Sequence, residues 1–279
     1  MARFYNIALL CCAFLPGIRT ASAEPMHNRI QFSVGVENYR ETYREYRHGT
    51  QRIMQQRGKL WSVSAGMAYP FNRYHSANLN ARYAQGKSDY TGGITANHET
   101  PATPYSSVSY HNTPRKAYHI QAAYQYRYPI GEKTSLLLET GLGYRVLKDL
   151  PRKQNEHDYD RQNQAVYARA AAGLHIKLPR SLELTPLAAY HHVLHSRQHS
   201  YNNRFNVTLK QKNGKGFEAT LPLSKRFSDQ SALSIGPFYR GWKVFDSDTG
   251  HIRNGNQTLS VIEPKNYTHE AGLRLEYHF

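Results

Sequence analysis

The end of this chain constrains its fold more than any other stretch. From Tyr267 to Phe279 one parity carries Tyr267, His269, Ala271, Leu273, Leu275, Tyr277 and Phe279, and the other carries Glu270, Gly272, Arg274, Glu276 and His278. Successive side chains of a strand point to opposite faces, so this segment has one mostly apolar face and one charged face. The chain then stops on an aromatic residue, and nine earlier segments alternate in the same way. A bilayer is crossed by strands only when they close on themselves, because an open edge would leave backbone groups unpaired in hydrocarbon. The fold expected is all-β: a ten-stranded antiparallel transmembrane β-barrel of an outer membrane, apolar outside and polar in the lumen.

The plainest of the earlier segments sets Tyr118, Ile120, Ala122, Tyr124, Tyr126 and Tyr128 against His119, Gln121, Gln125 and Arg127. Another alternates Val166, Ala168, Ala170, Ala172, Leu174, Ile176 and Leu178 with Arg169, Gly173, His175 and Lys177. The eighth segment, with Phe217, Ala219, Leu221 and Leu223, carries the shortest signal, and the first is expected to break parity at Arg40, through a short lipid face or a bulge. Connections near 70–75, 129–134, 179–181 and 225–231 are short, and those near 47–58, 86–114, 148–162, 195–215 and 245–265 are long. Short turns on one side and long loops on the other are the outer-membrane arrangement, with the long loops outside the cell.

Residues 1–23 read as a signal peptide, with Arg3, an apolar run from Ile7 to Leu15, and Ala21-Ser22-Ala23 before the cut. The barrel is expected over 24–279 as one domain with five long extracellular loops. Cys11 and Cys12 leave with the signal, so disulfide, zinc-thiolate and cysteine-nucleophile chemistry are excluded together. The 22 tyrosines beside a mean hydropathy of −0.71 suit a barrel whose strands are half wet and girdled by aromatics. A formal net charge of +16 points to an anionic partner or surface.

Several short stretches carry a family resemblance. Gly236-Pro237-Phe238-Tyr239, Glu263-Pro264-Lys265-Asn266, Gly272-Leu273-Arg274 before Phe279, and Gly141-Leu142-Gly143-Tyr144 together resemble the Opc-type (OpcA-like) outer-membrane adhesins. The pattern is also similar to that of other small proteobacterial barrels. The resemblance implies ten strands and basic surface loops that bind sulfated glycosaminoglycans of host cells.

Inward positions include Arg82, Arg127, Glu139, Arg145, Arg169, Glu183, Glu218, Arg240, Glu270, Arg274 and Glu276. In a narrow barrel such mixed charges pair and fill the interior; a conducting path lined by the arginines is the alternative, making the protein a narrow channel or porin for small solutes. Outside, Arg197, Arg204, Lys210, Lys212 and Lys215 share a stretch without an acid, and Arg47, Arg52, Arg57 and Lys59 form a second. These cations, with Tyr201 for sugar contact, are the expected polyanion-binding residues, because guanidinium forks and ammonium groups match sulfate and phosphate. Two ligands stay open, a sulfated polysaccharide or the phosphates of lipopolysaccharide; Arg40 and Arg44, outward above the first lipid face, suit the second.

The chain is not expected to be an enzyme. Asp158 with Asp160, or Asp246 and Asp248 with His251, could imitate the acid pairs of an omptin-like surface protease, but acids at this spacing in loops usually cap turns. His191, His192, His195 and His199 lie close in sequence, yet parity sends the first two to opposite faces, so no metal is expected. No cofactor and no nucleic-acid partner are expected either. The expected partners are outer-membrane lipid and lipopolysaccharide, a host glycan or surface receptor, and the barrel assembly machinery, which would read the strand ending at Phe279.

Overall fold

The computed structural model describes residues 29–47, 51–93, 103–156, 158–211, 213–228, 231–254 and 257–279. The signal-peptide reading, both cysteines and Lys212 lie outside the described residues. The strands are β1 (Gln31–Arg47), β2 (Gln51–Pro70), β3 (His75–Gly92), β4 (Val108–Pro129), β5 (Thr134–Asp149), β6 (Asp160–Leu178), β7 (Leu182–Leu184) and β8 (Leu187–Tyr201). They continue as β9 (Asn206–Gln211), β10 (Gly214–Thr220), β11 (Leu223–Arg226), β12 (Ala232–Val244), β13 (Gly250–Asn254), β14 (Gln257–Val261) and β15 (Lys265–His278). Apart from the β13–β14 hairpin, which is a separate two-stranded sheet, they form one closed antiparallel barrel of ten staves.

Closure is made by the first and last strands. β1 pairs with β15 from Ser33 opposite His278 to Tyr46 opposite Lys265, and Phe32 and Phe279 exchange backbone hydrogen bonds of 2.8 and 2.9 Å. The seventh stave is β7 plus β8, interrupted at Thr185–Pro186. The eighth is β9, β10 and β11, interrupted at Leu221–Pro222. Proline has no backbone N–H to give the ladder, which explains both gaps. They lie side by side, and the Thr185 N–H donates to the Pro222 carbonyl at 3.1 Å, so the sheet is patched across them. The faint alternation of the eighth segment reflects this proline.

The short turns are fixed locally. Asn72 accepts hydrogen bonds from the Tyr74 and His75 N–H groups at 2.9 and 3.1 Å, an Asx turn. Between β6 and β7, Arg180 and Ser181 have φ of 61° and 57°, the left-handed pair that a tight hairpin needs.

Parity in β1 does not break at Arg40. Tyr39, Glu41, Tyr43 and Glu45 stay buried inward, while Arg40, Thr42 and Arg44 stay outward, and the register shift comes later, between Glu45 and Tyr46. What changes at Arg40 is the solvent outside: the strand has left the lipid. On β2 the outward apolar run goes from Trp61 to Tyr69. Eight residues of strand span about 27 Å, or about 21 Å along the membrane normal at a tilt of roughly 40°, close to the height of an outer-membrane apolar band.

Several connections expected as loops are strand. Gln51–Gly58, Gln198–Tyr201 and Asn206–Gln211 all belong to the ladder. Above the membrane the outer face is polar and the buried inner face mixes polar, charged and apolar side chains, so hydrophobic alternation fades while backbone pairing continues.

Candidate functional site

The lumen is filled at mid-height by an ion-pair ladder that begins on β1. Glu37, with a fully buried side chain, accepts from Arg240 at 2.7 Å, Arg274 at 2.7 Å, Arg82 at 3.0 Å and the Ser62 hydroxyl at 2.8 Å. Glu270 accepts from Arg82 at 3.1 Å and forms an ion pair with Arg240 at 3.0 Å. One step up, Arg115 pairs with Glu41 and hydrogen-bonds Gln56 at 2.6 Å. Higher still, Arg161 bridges Glu45 at 2.5 Å and Asp149 at 3.0 Å. Charges taken out of water persist only with such partners.

Across the barrel Arg169 joins Glu139 and Glu218 at 3.1 and 3.0 Å. Tyr167, His191 and Trp242 stack into the remaining space, with ring centroids 4.8–5.0 Å apart, and Arg145 lies 4.5 Å over Trp242. Of the expected inward charges, Arg82, Glu139, Arg169, Glu183, Glu218, Arg240, Glu270 and Arg274 form ion pairs, whereas Arg127, Arg145 and Glu276 form none among the described residues. Sequence reading missed Glu37, Glu41 and Glu45, because the alternation of strand one was followed only as far as its apolar face, and Arg115, Asp149 and Arg161, because the fourth segment was read from Tyr118 and 148–162 as a loop. Below the ladder, three cavities of about 200, 170 and 190 Å³ open towards the periplasmic end.

Above the ladder, a cavity of about 370 Å³ sits at the extracellular mouth, lined by Tyr90, Tyr110, Tyr159, Asp149, Asp158 and Arg161 among others. Its arginine is already neutralised by Glu45 and Asp149, so it presents aromatic and hydroxyl surface more than positive charge. Beside it, Gly93 packs against the carbonyls of Thr103 and Pro104, which brings up Tyr105 with Arg52 stacked 4.4 Å over its ring.

A second cluster stands on the rim of β6, β8 and β9. The connection after β5 contains a short 3₁₀ turn, Pro151–Lys153, and Arg152 from it donates to the Asn203 side chain at 2.7 Å. Tyr159 and Phe205 pack at 5.6 Å, tying the same two connections together. Arg204 follows Asn203, Tyr201 stacks on His199 at 5.0 Å, and Arg197 faces Lys210 as a direct cross-strand partner. The rim therefore gathers Arg152, Lys153, Arg197, Tyr201, Arg204 and Lys210. Among the described residues, Arg197, Arg204 and Lys210 make no ion pair.

The expected polyanion set is thus divided. Arg197, Tyr201, Arg204 and Lys210 share the rim. Arg47 and Arg52 stand at the top of the β1–β2 hairpin. Arg57 and Lys59 are on the outer wall of β2, not in a loop, and Lys215 is on the outer wall of β10 between His192 and Lys243. Arg152 and Lys153 were missed, since their stretch looks charge-balanced in sequence; of its acids, Asp149 is engaged by Arg161 and Asp160 accepts the Arg152 N–H at 3.2 Å. Burial raises the Asp160 carboxyl above its ordinary range.

Of the acids considered for proteolysis, Asp160, Asp246 and Asp248 cap backbone, while Asp158 lines the mouth cavity. Asp246 accepts the Lys265 N–H at 2.6 Å, Asp248 accepts the Lys210 N–H at 2.8 Å, and His251 meets Ser260 at 3.3 Å. His191 is buried while His192 is exposed, and the described residues contain no cluster suited to a metal ion.

The family model for "Outer membrane protein OpcA" matches residues 34–279, nearly the whole chain. The chain belongs to the OpcA family. It is an outer-membrane protein, as the matched family and the closed barrel together require. Among solved structures, this OpcA-family barrel is similar to the outer membrane protease OmpT from Escherichia coli, with TM-score 0.61 and 11% identity over 90% of this chain and 96% of that one. It also matches the translocator domain of the autotransporter NalP from Neisseria meningitidis, with TM-score 0.40 and 11% identity over 90% of this chain and 88% of that one. At such identities the likeness to OmpT is one of fold. Comparison with curated proteins gave no match.

Proposed function

We propose that this OpcA-family barrel is a non-enzymatic, adhesin-like surface protein whose extracellular rim binds a polyanionic glycan, a sulfated glycosaminoglycan being the best fit. The observation that carries this reading is the rim itself. Two connections are locked together by Arg152 and Asn203, and they present Arg204, Arg197 and Lys210 around Tyr201 on hydrogen-bonded strand. Cations held by a sheet keep their spacing, so less ordering is needed when sulfates are bound. Tyr201 and the tyrosines of the neighbouring mouth cavity offer ring faces to sugar. The channel reading finds less support, because the ladder from Glu37 to Arg161 occupies the cross-section a solute would use.

The test is binding of heparin to the refolded protein at two salt concentrations. Arg197→Gln/Arg204→Gln/Lys210→Gln should weaken it about tenfold or more, since charge-assisted contacts with sulfate carry the affinity. Wild-type binding should itself fall as salt rises. Binding that survives the triple substitution, or ignores salt, would refute the rim as the glycan site.

A further inference from the structure

The outer wall of β1–β5 carries a second set of cations at one depth. On each strand they come next above the apolar band. Lys59 stands two residues above Trp61, Lys116 two above Tyr118, Lys148 two above Val146, Lys87 four above Tyr83 and Arg40 four above Val36. Register ties them into a patch. Arg40 is opposite Lys59, Lys59 is opposite Lys87, and Lys116 is opposite Lys148. Direct cross-strand neighbours have Cβ atoms about 5 Å apart, and like charges so placed repel one another.

Among the described residues none of these five has an acidic partner. Asp89 is the acid on this face, and it stands across from Arg57. A row of unpaired cations is unfavourable unless something anionic lies against it. Beneath the row is an aromatic shelf. Trp61 and Tyr118 are 46% and 40% exposed, Tyr83 and Tyr118 pack at 5.2 Å, and the Lys148 ammonium sits 5.5 Å over Tyr118. Rings of this kind mark the boundary between acyl chains and headgroups. The patch ends at β6, which carries Gln164 and Gln162 opposite Val146 and Lys148; further round the wall Lys215 and Lys243 face each other as a separate pair.

We propose that this wall is a docking site for the phosphorylated headgroup of lipid A, the glycolipid of the outer leaflet, with Arg40, Lys59 and Lys87 on one phosphate region and Lys116 and Lys148 on another. The aromatic shelf contacts the sugar and the first carbons of the acyl chains. This surface is separate from the glycan rim, faces the lipid and not the medium, and does not depend on the rim binding anything. Its occupant is fixed by position: anionic groups concentrated at the height of the headgroups, beside a wall that cannot turn away.

The probe is bis-phosphorylated lipid A added to the refolded full chain in neutral detergent, with dephosphorylated lipid A in parallel, and retained lipid is measured at equilibrium. Phosphorylated lipid should bind, and Arg40→Gln/Lys59→Gln/Lys87→Gln should weaken it about a hundredfold, the loss of three surface cations facing anionic lipid. Lys116→Gln/Lys148→Gln should weaken it about tenfold or more, and serves as the reading if the triple variant does not refold. Lys59→Arg/Lys87→Arg should bind as wild type does. Heparin binding should be untouched by all of these, while the rim triple should leave lipid binding intact. Equal binding of the dephosphorylated lipid, or wild-type binding by both glutamine variants, would overturn the proposal.

Discussion

Glu37 is the side chain on which the interior depends most, and its removal gives the sharpest prediction. Its carboxylate is fully buried and takes hydrogen bonds from Arg82, Arg240, Arg274 and Ser62 at 2.7–3.0 Å. Arg82 and Arg240 retain Glu270 if Glu37 is neutralised, at 3.1 and 3.0 Å. Arg274 is partly exposed and pairs with Glu37. Glu37→Gln keeps the shape and the Ser62 contact but leaves a net excess of cation in a closed space. Removing one partner of a buried pair costs about 3–5 kcal/mol. With Glu270 sharing the load, the lower end applies, about 3 kcal/mol. For a domain of this size that is a fall of roughly 6–12 °C in Tm. The assay is thermal unfolding in detergent, followed by circular dichroism and by the gel shift of the folded barrel. Adding Arg274→Gln should restore part of the loss, because the two substitutions share one interaction. If Glu37→Gln shifts stability by no more than about 0.5 kcal/mol, the range of a surface change, the ladder does not hold the barrel as argued.

Other outcomes follow from the same geometry. Wild type should give no steady single-channel conductance in planar bilayers, and a reproducible open level would restore the channel reading. Glu263, outside the membrane, accepts from the Tyr43 hydroxyl at 3.2 Å; burial and the neighbouring Glu45 push its carboxyl from 4.5 up to about 8, against the pull of Arg161. The folded form therefore holds a proton that the unfolded chain gives up near 4.5, so stability falls as pH rises from about 4.5 to about 8. Glu263→Gln should flatten that slope in melts between those limits, and an unchanged slope would refute the assignment. A Cβ on Gly143 would come within 2.2 Å of the buried Tyr167 ring, so Gly143→Val should cost about 1–3 kcal/mol in chemical unfolding.

How much of this could be read from the chain depended on what surrounds each strand. Within the membrane the outside is apolar and the inside wet, so Tyr118 to Tyr128 and Val166 to Leu178 declare their parity residue by residue. Above it, Arg40, Thr42 and Arg44 alternate with Glu41, Tyr43 and Glu45, and polarity no longer separates the faces. That is why the ladder's acids went unseen and why Arg57 and Lys59 looked like loop residues. The rim was half legible. The acid-free stretch holding Arg197, Arg204 and Lys210 stood out, whereas Arg152 and Lys153 were hidden in a stretch whose acids balance them in sequence. Only the fold brings residue 152 to residue 203.

The staves that outrun the bilayer also fix how high the cationic rim stands. From Leu194 to Tyr201, β8 climbs seven more residues, about 18 Å of height for a strand inclined at roughly 40°. The cationic crown is thereby carried on a stiff palisade, clear of the leaflet's innermost sugars. A long, stiff polysaccharide could then lie across it without first pushing into the membrane's own carbohydrate coat.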